Sequence, residues 1–264
     1  MTAGILIKLG GSLLTEKSRP ETPRTEVIAR LAAEIARAAA RGPERLILGH
    51  GSGSFGHVAA SRSRLAGGLT SADQLPGISA TQQSAAALHR LVVEALAAAG
   101  ATPYSIAPSS CVVTAGGRPA AFADEPLLLA LERGLLPVLY GDVVLDRQQG
   151  VAICSTETIL ELLARTLPAR GVPVSRAIWL GETDGLYDEA GRTIPRVSAA
   201  TFQEAARGIG APAGTDVTGG MRHRVEAALA LAGLGIPSLL ANGLTPGLLE
   251  RALRGEAVPG TEVV

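Results

Sequence analysis

The sequence predicts an α/β protein, a three-layer αβα sandwich with a central, mainly parallel sheet. Two observations support this prediction. Apolar runs rich in β-forming residues alternate along the chain with long helical patterns of Ala, Leu, Glu and Arg. The apolar runs are also continuous rather than alternating with polar residues, which is typical of parallel strands covered by helices on both faces.

These patterns place each element along the chain, and glycine and proline mark the boundaries. Gly42-Pro43 ends the first helix, Gly100 ends the second, and Gly141 follows a buried strand. Strands are predicted at 5–9, 45–49, 103–107, 136–140, 176–180 and 237–241, with a hairpin at 112–114 and 119–122. Helices are predicted at 25–41, 79–99, 125–133, 156–166, 219–232 and 244–254.

The composition argues against several classes of protein. Of 264 residues, 47% are hydrophobic and 18% charged, so the chain can bury a sizeable core and is not expected to be disordered. Its 24 basic and 24 acidic side chains cancel, which argues against nucleic-acid binding. No apolar stretch is long enough for a membrane span, and the first residues do not resemble a signal peptide. With only two cysteines, Cys111 and Cys154, we expect a cytoplasmic location.

Lysine is confined to the start of the chain. Lys8 and Lys17 are the only lysines, and every other basic residue among the 24 Lys+Arg is arginine. These two lysines flank the turn Gly10-Gly11-Ser12. Because lysine is a compact point charge and arginine a planar fork, the two are not interchangeable at a phosphate. Their placement favours a role in phosphate binding over chance at a solvated segment.

Glycine-rich turns follow the first two predicted strands. The turn Gly10-Gly11-Ser12 lets backbone N–H groups approach a phosphate beside Lys8, although a single such turn is also an ordinary tight turn. The second turn spans 49–57 and contains two of the four histidines. An imidazole can donate a hydrogen bond to a phosphate near neutral pH. We interpret His57 as functional and His50 as a cap on its strand.

Two further turns lie in the second half of the chain. Residues 183–187 follow the strand at 176–180, and residues 216–224 open a predicted helix that carries Arg222 and Arg224. Parallel sheets bind ligands in the crevice at the carboxyl ends of their strands. Four turns of this kind therefore predict an anionic, polyphosphate-like ligand.

The turns contain four motifs: Lys8-Leu9-Gly10-Gly11-Ser12, Gly53-Ser54-Phe55-Gly56-His57, Thr183-Asp184-Gly185-Leu186-Tyr187 and Asp216-Val217-Thr218-Gly219-Gly220-Met221. In this order, and over essentially the whole chain, they resemble the amino acid kinase superfamily. Within that superfamily, a histidine after the second turn is similar to the mark of isopentenyl phosphate kinases, which fosfomycin kinases share.

The resemblance implies transfer of the γ-phosphoryl group of ATP to isopentenyl phosphate, with Mg²⁺ as cofactor. It implies a single domain, 1–264, with an acceptor-binding lobe of about 1–170 and a nucleotide-binding lobe of about 171–264. We expect a homodimer that acts on a small-molecule phosphate and binds neither nucleic acid nor membrane. No metal ligands are assigned to the chain.

The resemblance also implies roles for individual residues. The catalytic residues would be Lys17, which stabilises the transition state, His57, which holds the acceptor phosphate, and Lys8. Residues implied in ATP binding are Lys8, Gly10, Gly11, Ser12, Gly53, Asp184, Gly220 and Arg224, and those implied in acceptor binding are Ser52, Gly53, His57 and Thr156. A phosphate oxygen is already nucleophilic at neutral pH. The site is therefore expected to be rich in cations and to lack an acidic base.

Three positions depart from the pattern of the family. Ser52 replaces a glycine of the second turn, Thr156 replaces a glycine that touches the acceptor phosphate, and Arg224 replaces a lysine. The first two leave the acceptor open, and fosfomycin or another phosphonate or small phosphate is the alternative substrate. A nucleotide-binding regulatory protein without catalysis is a third interpretation, against which the retained lysines and histidine argue.

An isoprenoid acceptor also needs an apolar slot beyond its phosphate. Candidates lie in the helical residues 78–96 and at Val112, Phe122 and Ile153, although the pattern favours a core position for most of them. Because only 3% of the residues are aromatic, we expect aliphatic side chains to line the slot.

Overall fold

In a computed structural model, the structure describes residues 2–42, 44–202 and 219–264. The strands are Gly4–Leu9 (β1), Arg45–His50 (β2), Pro103–Ser105 (β3), Val112–Ala115 (β4), Arg118–Phe122 (β5), Leu136–Tyr140 (β6), Asp142–Asp146 (β7), Gly150–Cys154 (β8), Val174–Gly181 (β9), Arg196–Val197 (β10), Ser238–Asn242 (β11) and Thr261–Val263 (β12). The α-helices are Gly11–Leu14 (α1), Thr25–Ala39 (α2), Gly53–Arg62 (α3), Leu75–Ala98 (α4), Pro108–Cys111 (α5), Glu125–Glu132 (α6), Thr156–Thr166 (α7), Gly219–Ala232 (α8) and Leu248–Leu253 (α9). Short 3-10 helices lie at Leu65–Gly67, Ala72–Gln74 and Pro168–Arg170.

An eight-stranded sheet forms the centre of the fold, in the order β10-β12-β11-β9-β1-β2-β6-β3. Six neighbouring strands, from β11 to β3, run parallel, whereas β12 is antiparallel to β11 and pairs in parallel with β10. The predicted α/β class with a central, mainly parallel sheet is confirmed. Residues 1–170 supply β1, β2, β3 and β6 to this sheet, and residues 171–264 supply β9 to β12. The division into an acceptor lobe and a nucleotide lobe stays a prediction.

Side chains of β1 enter two different layers, since successive residues of a strand point to opposite faces. Ile5, Ile7 and Leu9 pack with buried residues of α2, α4 and α9, whereas Leu6 packs with those of α6, α7 and α8. Burial of each such side chain stabilises the fold by roughly 1.5–3 kcal/mol. Lys8 follows the same alternation, so its side chain lies on the face of Leu6, toward α7 and α8.

A second sheet has four strands in the order β5-β4-β7-β8. The sequence predicts one of its two hairpins, β4 with β5. The hairpin of β7 and β8 is the part that local patterns miss. The Asp146 carboxylate ties the two hairpin turns together by accepting N–H hydrogen bonds from Gly116, Gly117, Gln148 and Gln149. Gly116 and Asp146 are 30 positions apart, so no short window of sequence reveals this link.

Some predicted boundaries shift by a few residues. The last helix is shorter than the predicted 244–254, because Gly247 precedes it with a φ of 74° that a helix does not accept. The long helix starts earlier than predicted, at Leu75, with Pro76 in its first turn, a position that favours proline. Among the described residues, no helix has both the length and the apolar character needed to cross a membrane.

Candidate active site

A cleft of about 730 Å³ opens where β1, β2 and β6 end. Its walls are the turns after β1 and β2 and parts of α3, α4, β8, α7 and α8. The polar side chains that line it are Lys8, Ser12, Lys17, Ser52, Ser54, His57, Thr81, Asp142, Ser155, Thr156, Glu157, Thr158, His223 and Arg224. Its location agrees with the predicted crevice at the carboxyl ends of the parallel strands. The structure thus brings Lys8, Lys17, His57 and Arg224 together, as the sequence predicts.

The turns after β1 and β2 pack backbone against backbone, which explains their glycines. Gly53 has a φ of 51°, and a Cβ on Gly11 would lie 2.7 Å from the Gly53 Cα. Thr15 joins the two turns, because its Oγ1 donates to the Gly11 carbonyl at 2.9 Å and accepts from the Ser54 N–H at 2.9 Å. Within the described residues, the N–H groups of Gly11 and Ser12 donate to no carbonyl or side chain. These glycines therefore allow close packing and also leave N–H donors at the cleft.

Lys8 lies in the buried floor of the cleft, where its Nζ donates to Glu157 Oε1 on α7. Burial lowers the pKa of Lys8 and nearby Arg224 lowers it further, against the opposing effect of Glu157. Burial alone would raise the pKa of Glu157, but Lys8 and then Arg224 outweigh it and hold that pKa below its ordinary value. The ion pair with Glu157 favours the charged form of Lys8 and so opposes the effect of burial. The floor therefore carries two cations and one anion, a net positive charge that suits a phosphate.

Arg224 reaches this floor because the strand ends beneath it lack side chains. It is 7% exposed, and its guanidinium lies over Gly10 and Gly181. A Cβ on Gly181 would collide with both terminal nitrogens of the guanidinium. The planar fork of an arginine matches two oxygens of one phosphate. Arginine in place of lysine thus keeps the positive charge at this position and adds a second donor nitrogen in a fixed, planar geometry.

His57 and Lys17 line the cleft with exposed side chains. His57 lies one turn into α3, directly after the turn of β2. Partial burial lowers the pKa of His57, with Glu157 opposing and Lys8 reinforcing the effect. A neutral imidazole still carries one N–H. His57 can therefore donate a hydrogen bond to a phosphate oxygen without first taking up a proton.

Thr156 and Ser52 stand where the family pattern has glycines. Their side chains nevertheless take up little of the cleft. Thr156 is buried, and its hydroxyl donates to the His50 carbonyl at 2.6 Å. Its methyl group occupies the space that Gly49 leaves open, where any Cβ would collide with it. The hydroxyl of Ser52 lies beside Gly56, which likewise lacks a side chain. Both substitutions are therefore accommodated by neighbouring glycines.

Two further residues that are predicted to bind ATP are Asp184 and Gly220. Asp184 follows β9 and accepts a hydrogen bond from Asn242 Nδ2 at 3.0 Å, and it is not among the residues that line the cleft. Gly220 belongs to the first turn of α8 and lies four residues before Arg224. Residues 216–218 of the same motif lie outside the described residues. Roles for Asp184 and Gly220 in ATP binding stay predictions.

Two acidic side chains, Glu157 and Asp142, line the cleft. The expectation that the reaction uses no acidic base stays a prediction. Asp142 is buried and accepts N–H hydrogen bonds from Val143 at 2.8 Å and Ser109 at 3.2 Å, while burial raises its pKa above the ordinary range. The sequence does not reveal the ion pair between Glu157 and Lys8, because the two residues are 149 positions apart. The described residues contain no group of three or more His, Cys, Asp or Glu side chains that could hold a metal ion.

One wall of the cleft is apolar, and it consists of small and aliphatic side chains. These are Val58, Ala60, Ala85, Ile153 and Cys154. Of the predicted candidates for a tail slot, Ile153 and residues of α4 line the cleft. Val112 lies instead in the main core and Phe122 packs against it. Val112 and Phe122 are therefore core residues, and the apolar wall of the cleft is built mainly from α3, α4 and β8.

Comparison with known proteins identifies the family. The chain matches the model of the amino acid kinase family over residues 4–242. It is 33% identical to the isopentenyl phosphate kinases of Methanothermobacter thermautotrophicus and of Haloferax volcanii, in both cases over 98% of each chain. A solved structure of isopentenyl phosphate kinase, 29% identical, superposes with a TM-score of 0.82 and covers 98% of this chain and 99% of that chain. The chain therefore belongs to the amino acid kinase family, within which it is similar over nearly its full length to isopentenyl phosphate kinases.

Proposed function

We propose that this protein transfers the γ-phosphoryl group of ATP to isopentenyl phosphate, giving isopentenyl diphosphate and ADP. The observation that carries the proposal is the combination, in one cleft, of a cationic floor and an apolar wall. Lys8 and Arg224 form the floor with Glu157, and Val58 and Ile153 belong to the wall. An acceptor with a phosphate and a short hydrocarbon tail matches both. The similarity to isopentenyl phosphate kinases supports the same assignment.

The cationic groups are proposed to divide between the two substrates. Lys8, Arg224 and the N–H groups of the turn after β1 hold the phosphates of ATP. His57 and the turn after β2 hold the acceptor phosphate. Lys17 stabilises the charge that develops on the transferred group. This division agrees with the geometry, because the two turns face the same cleft from neighbouring strands.

In the proposed reaction an oxygen of the acceptor phosphate attacks the γ-phosphorus of ATP. A bond forms between them, the bond from the γ-phosphorus to the β,γ-bridging oxygen breaks, and ADP leaves with the electron pair. No base is required, since the attacking oxygen is already nucleophilic. The protein's task is to position two polyanions and to offset their repulsion. Glu157 contributes by fixing the ammonium group of Lys8 in the floor.

Mg²⁺ is proposed as the metal cofactor. Glu157 is paired with Lys8 and burial raises the pKa of Asp142, so most of the ligands of Mg²⁺ would come from the phosphates of ATP rather than from these carboxyl groups. The chemistry that Mg²⁺ would supply there is neutralisation of phosphate charge. A homodimer and a cytoplasmic location stay predictions from the sequence.

The test is an assay of ADP formation with four acceptors side by side: isopentenyl phosphate, dimethylallyl phosphate, fosfomycin and N-acetylglutamate. We expect turnover with isopentenyl phosphate, because its tail fits the aliphatic wall, and little with N-acetylglutamate. Turnover of fosfomycin alone would overturn the proposal. ADP formation that is equal with and without any acceptor would do the same, since it would indicate hydrolysis of ATP.

A further inference from the structure

Two buried imidazoles form a row behind the cleft, and the proposed mechanism does not use them. His50 ends β2, His89 lies on α4, and both are at most 5% exposed. His50 Nε2 lies 3.0 Å from His89 Nδ1, and His89 Nε2 lies 2.7 Å from the Ser105 hydroxyl. At the other end of the row, His50 Nδ1 lies 3.1 Å from the Gly51 carbonyl. The row therefore connects an exposed serine on β3 to the turn that lines the cleft.

Both rings are neutral at physiological pH. Burial lowers the pKa of His50 to about 4. Burial and the neighbouring His50 lower the pKa of His89 to about 3. A neutral imidazole carries one N–H donor and one acceptor nitrogen. Tyr140 stacks on both rings, with centroid distances of 5.8 Å and 4.3 Å, and holds them in place.

These distances allow a single direction for the hydrogen bonds. The Gly51 carbonyl can only accept, so the proton of His50 is on Nδ1. The Nε2 of His50 is then the acceptor, which requires the proton of His89 to be on Nδ1 as well. The Nε2 of His89 consequently accepts from the hydroxyl of Ser105. Each donor in the row meets one acceptor.

The last bond of the row involves the peptide group between Gly51 and Ser52, beside the cleft. All described peptide bonds are trans, so the Gly51 carbonyl and the Ser52 N–H point in opposite directions. With the carbonyl turned toward His50, the Ser52 N–H is turned away from that ring. Ser52 lines the cleft, and its N–H donates to no group of the described residues. A reversed peptide would present a carbonyl oxygen to an anionic ligand instead.

We propose that His50 and His89 are positioning residues: the row from Ser105 to Gly51 fixes the Ser52 N–H as a hydrogen-bond donor to the phosphate of the acceptor. The proposal rests on the proposed function for the identity of that phosphate. The imidazoles act through the peptide and do not touch the substrate. Their effect is therefore expected on binding of the acceptor and much less on binding of ATP.

Calorimetric titration with isopentenyl phosphate, in the absence of ATP, tests this role. We expect His50→Leu, which lacks the donor, to weaken binding about tenfold, the loss expected for one hydrogen bond to a charged group. His50→Asn should restore most of the affinity, because its amide nitrogen can replace Nδ1. Affinity for a non-hydrolysable ATP analogue should change less than about threefold. Equal losses for both ligands, or no rescue by asparagine, would overturn the positioning role.

A second measurement on the unmodified protein needs neither a variant nor activity. Nitrogen-15 NMR of the imidazoles at neutral pH should show both His50 and His89 protonated on Nδ1 and not on Nε2. A proton on Nε2 of His50 would overturn the proposal even if the variants bind poorly. If the tautomers are as expected and isopentenyl phosphate is not phosphorylated, the proposed function fails while the orientation of the row stands.

Discussion

The two lysines of the chain occupy different surroundings, and at the scale of single residues this predicts different roles. Lys8 is buried and bonded to Glu157 before any substrate arrives, so its charge is preorganised for a bound phosphate. Lys17 is exposed at the cleft, where its flexible side chain can approach the phosphoryl group as it is transferred. An interaction that forms mainly in the transition state raises kcat rather than substrate affinity.

Lys17→Ala is accordingly expected to lower kcat by roughly 100-fold or more while changing KM for either substrate much less. Steady-state kinetics with each substrate varied in turn measure this. Arg19→Ala is the matched control, because Arg19 is an exposed cation in the same segment that does not line the cleft. A Lys17→Ala variant with the kcat of the unmodified protein would assign Lys17 to the surface.

His57→Ala is expected to reduce turnover of isopentenyl phosphate about 100-fold, because the attacking phosphate loses the group that positions it. ATP binding should remain nearly intact, since Lys8 and Arg224 are the residues proposed to hold those phosphates. His57→Gln should retain more activity than alanine, as its amide N–H can still donate. Calorimetry with a non-hydrolysable ATP analogue separates the two effects. Loss of ATP binding with acceptor binding intact would place His57 in the nucleotide site.

At the scale of elements, sequence patterns predict the strands, helices and turns that depend on residues close together in the chain. β1, β2 and α7 follow from apolar runs and boundary residues, and so do the turns that carry Lys8 and His57. Contacts between distant segments leave no such pattern. Glu157 pairs with a lysine 149 positions away, and His50 pairs with a histidine 39 positions away. For that reason the sequence predicts the cations of the cleft but misses its acidic partner and the buried row behind it.

The packing of the turn after β1 against the turn after β2 predicts that Gly11→Ala is strongly destabilising. The new Cβ would lie 2.7 Å from the Gly53 Cα, so the backbone would have to move, at a cost of about 1–3 kcal/mol in free energy of unfolding. Gly67→Ala is the control, because a Cβ there meets nothing within 4 Å and its φ is not positive. Denaturant unfolding of both variants measures the difference, and equal stabilities would contradict the packing argument.

His50 on β2 and His89 on α4 are both buried. Their burial predicts that the free energy of unfolding depends on pH. A histidine of the unfolded chain titrates near 6.5, whereas burial lowers these two to about 4 and about 3. Below about pH 6.5 the unfolded chain therefore binds more protons, so the free energy of unfolding falls as the pH decreases toward the folded-state values. The slope is about 1.4 kcal/mol per pH unit for each histidine.

Denaturant titrations across this pH window measure that slope in the unmodified protein and in the double variant His50→Asn, His89→Asn. The double variant is expected to show a smaller slope, because asparagine does not titrate. Other titrating groups contribute to both proteins and cancel in the comparison. Identical slopes would mean that the two rings take up protons in the folded protein as readily as in the unfolded one.

At the scale of the whole molecule, one continuous sheet brings the charged groups to a single cleft. β1 carries Lys8, β2 leads into the helix of His57, and the layer on the face of Leu6 contributes Glu157 and Arg224. Parallel strands end at the same edge, so residues far apart in sequence converge there. The central claim that follows is direct transfer of a phosphoryl group between two substrates bound side by side.

Phosphorus-31 NMR of the protein mixed with ATP, Mg²⁺ and isopentenyl phosphate tests that claim most directly. Direct transfer predicts that the monophosphate resonance of isopentenyl phosphate disappears while two mutually coupled diphosphate resonances and those of ADP grow in equal amounts. Growth of inorganic phosphate and ADP beside an unchanged isopentenyl phosphate resonance would contradict it.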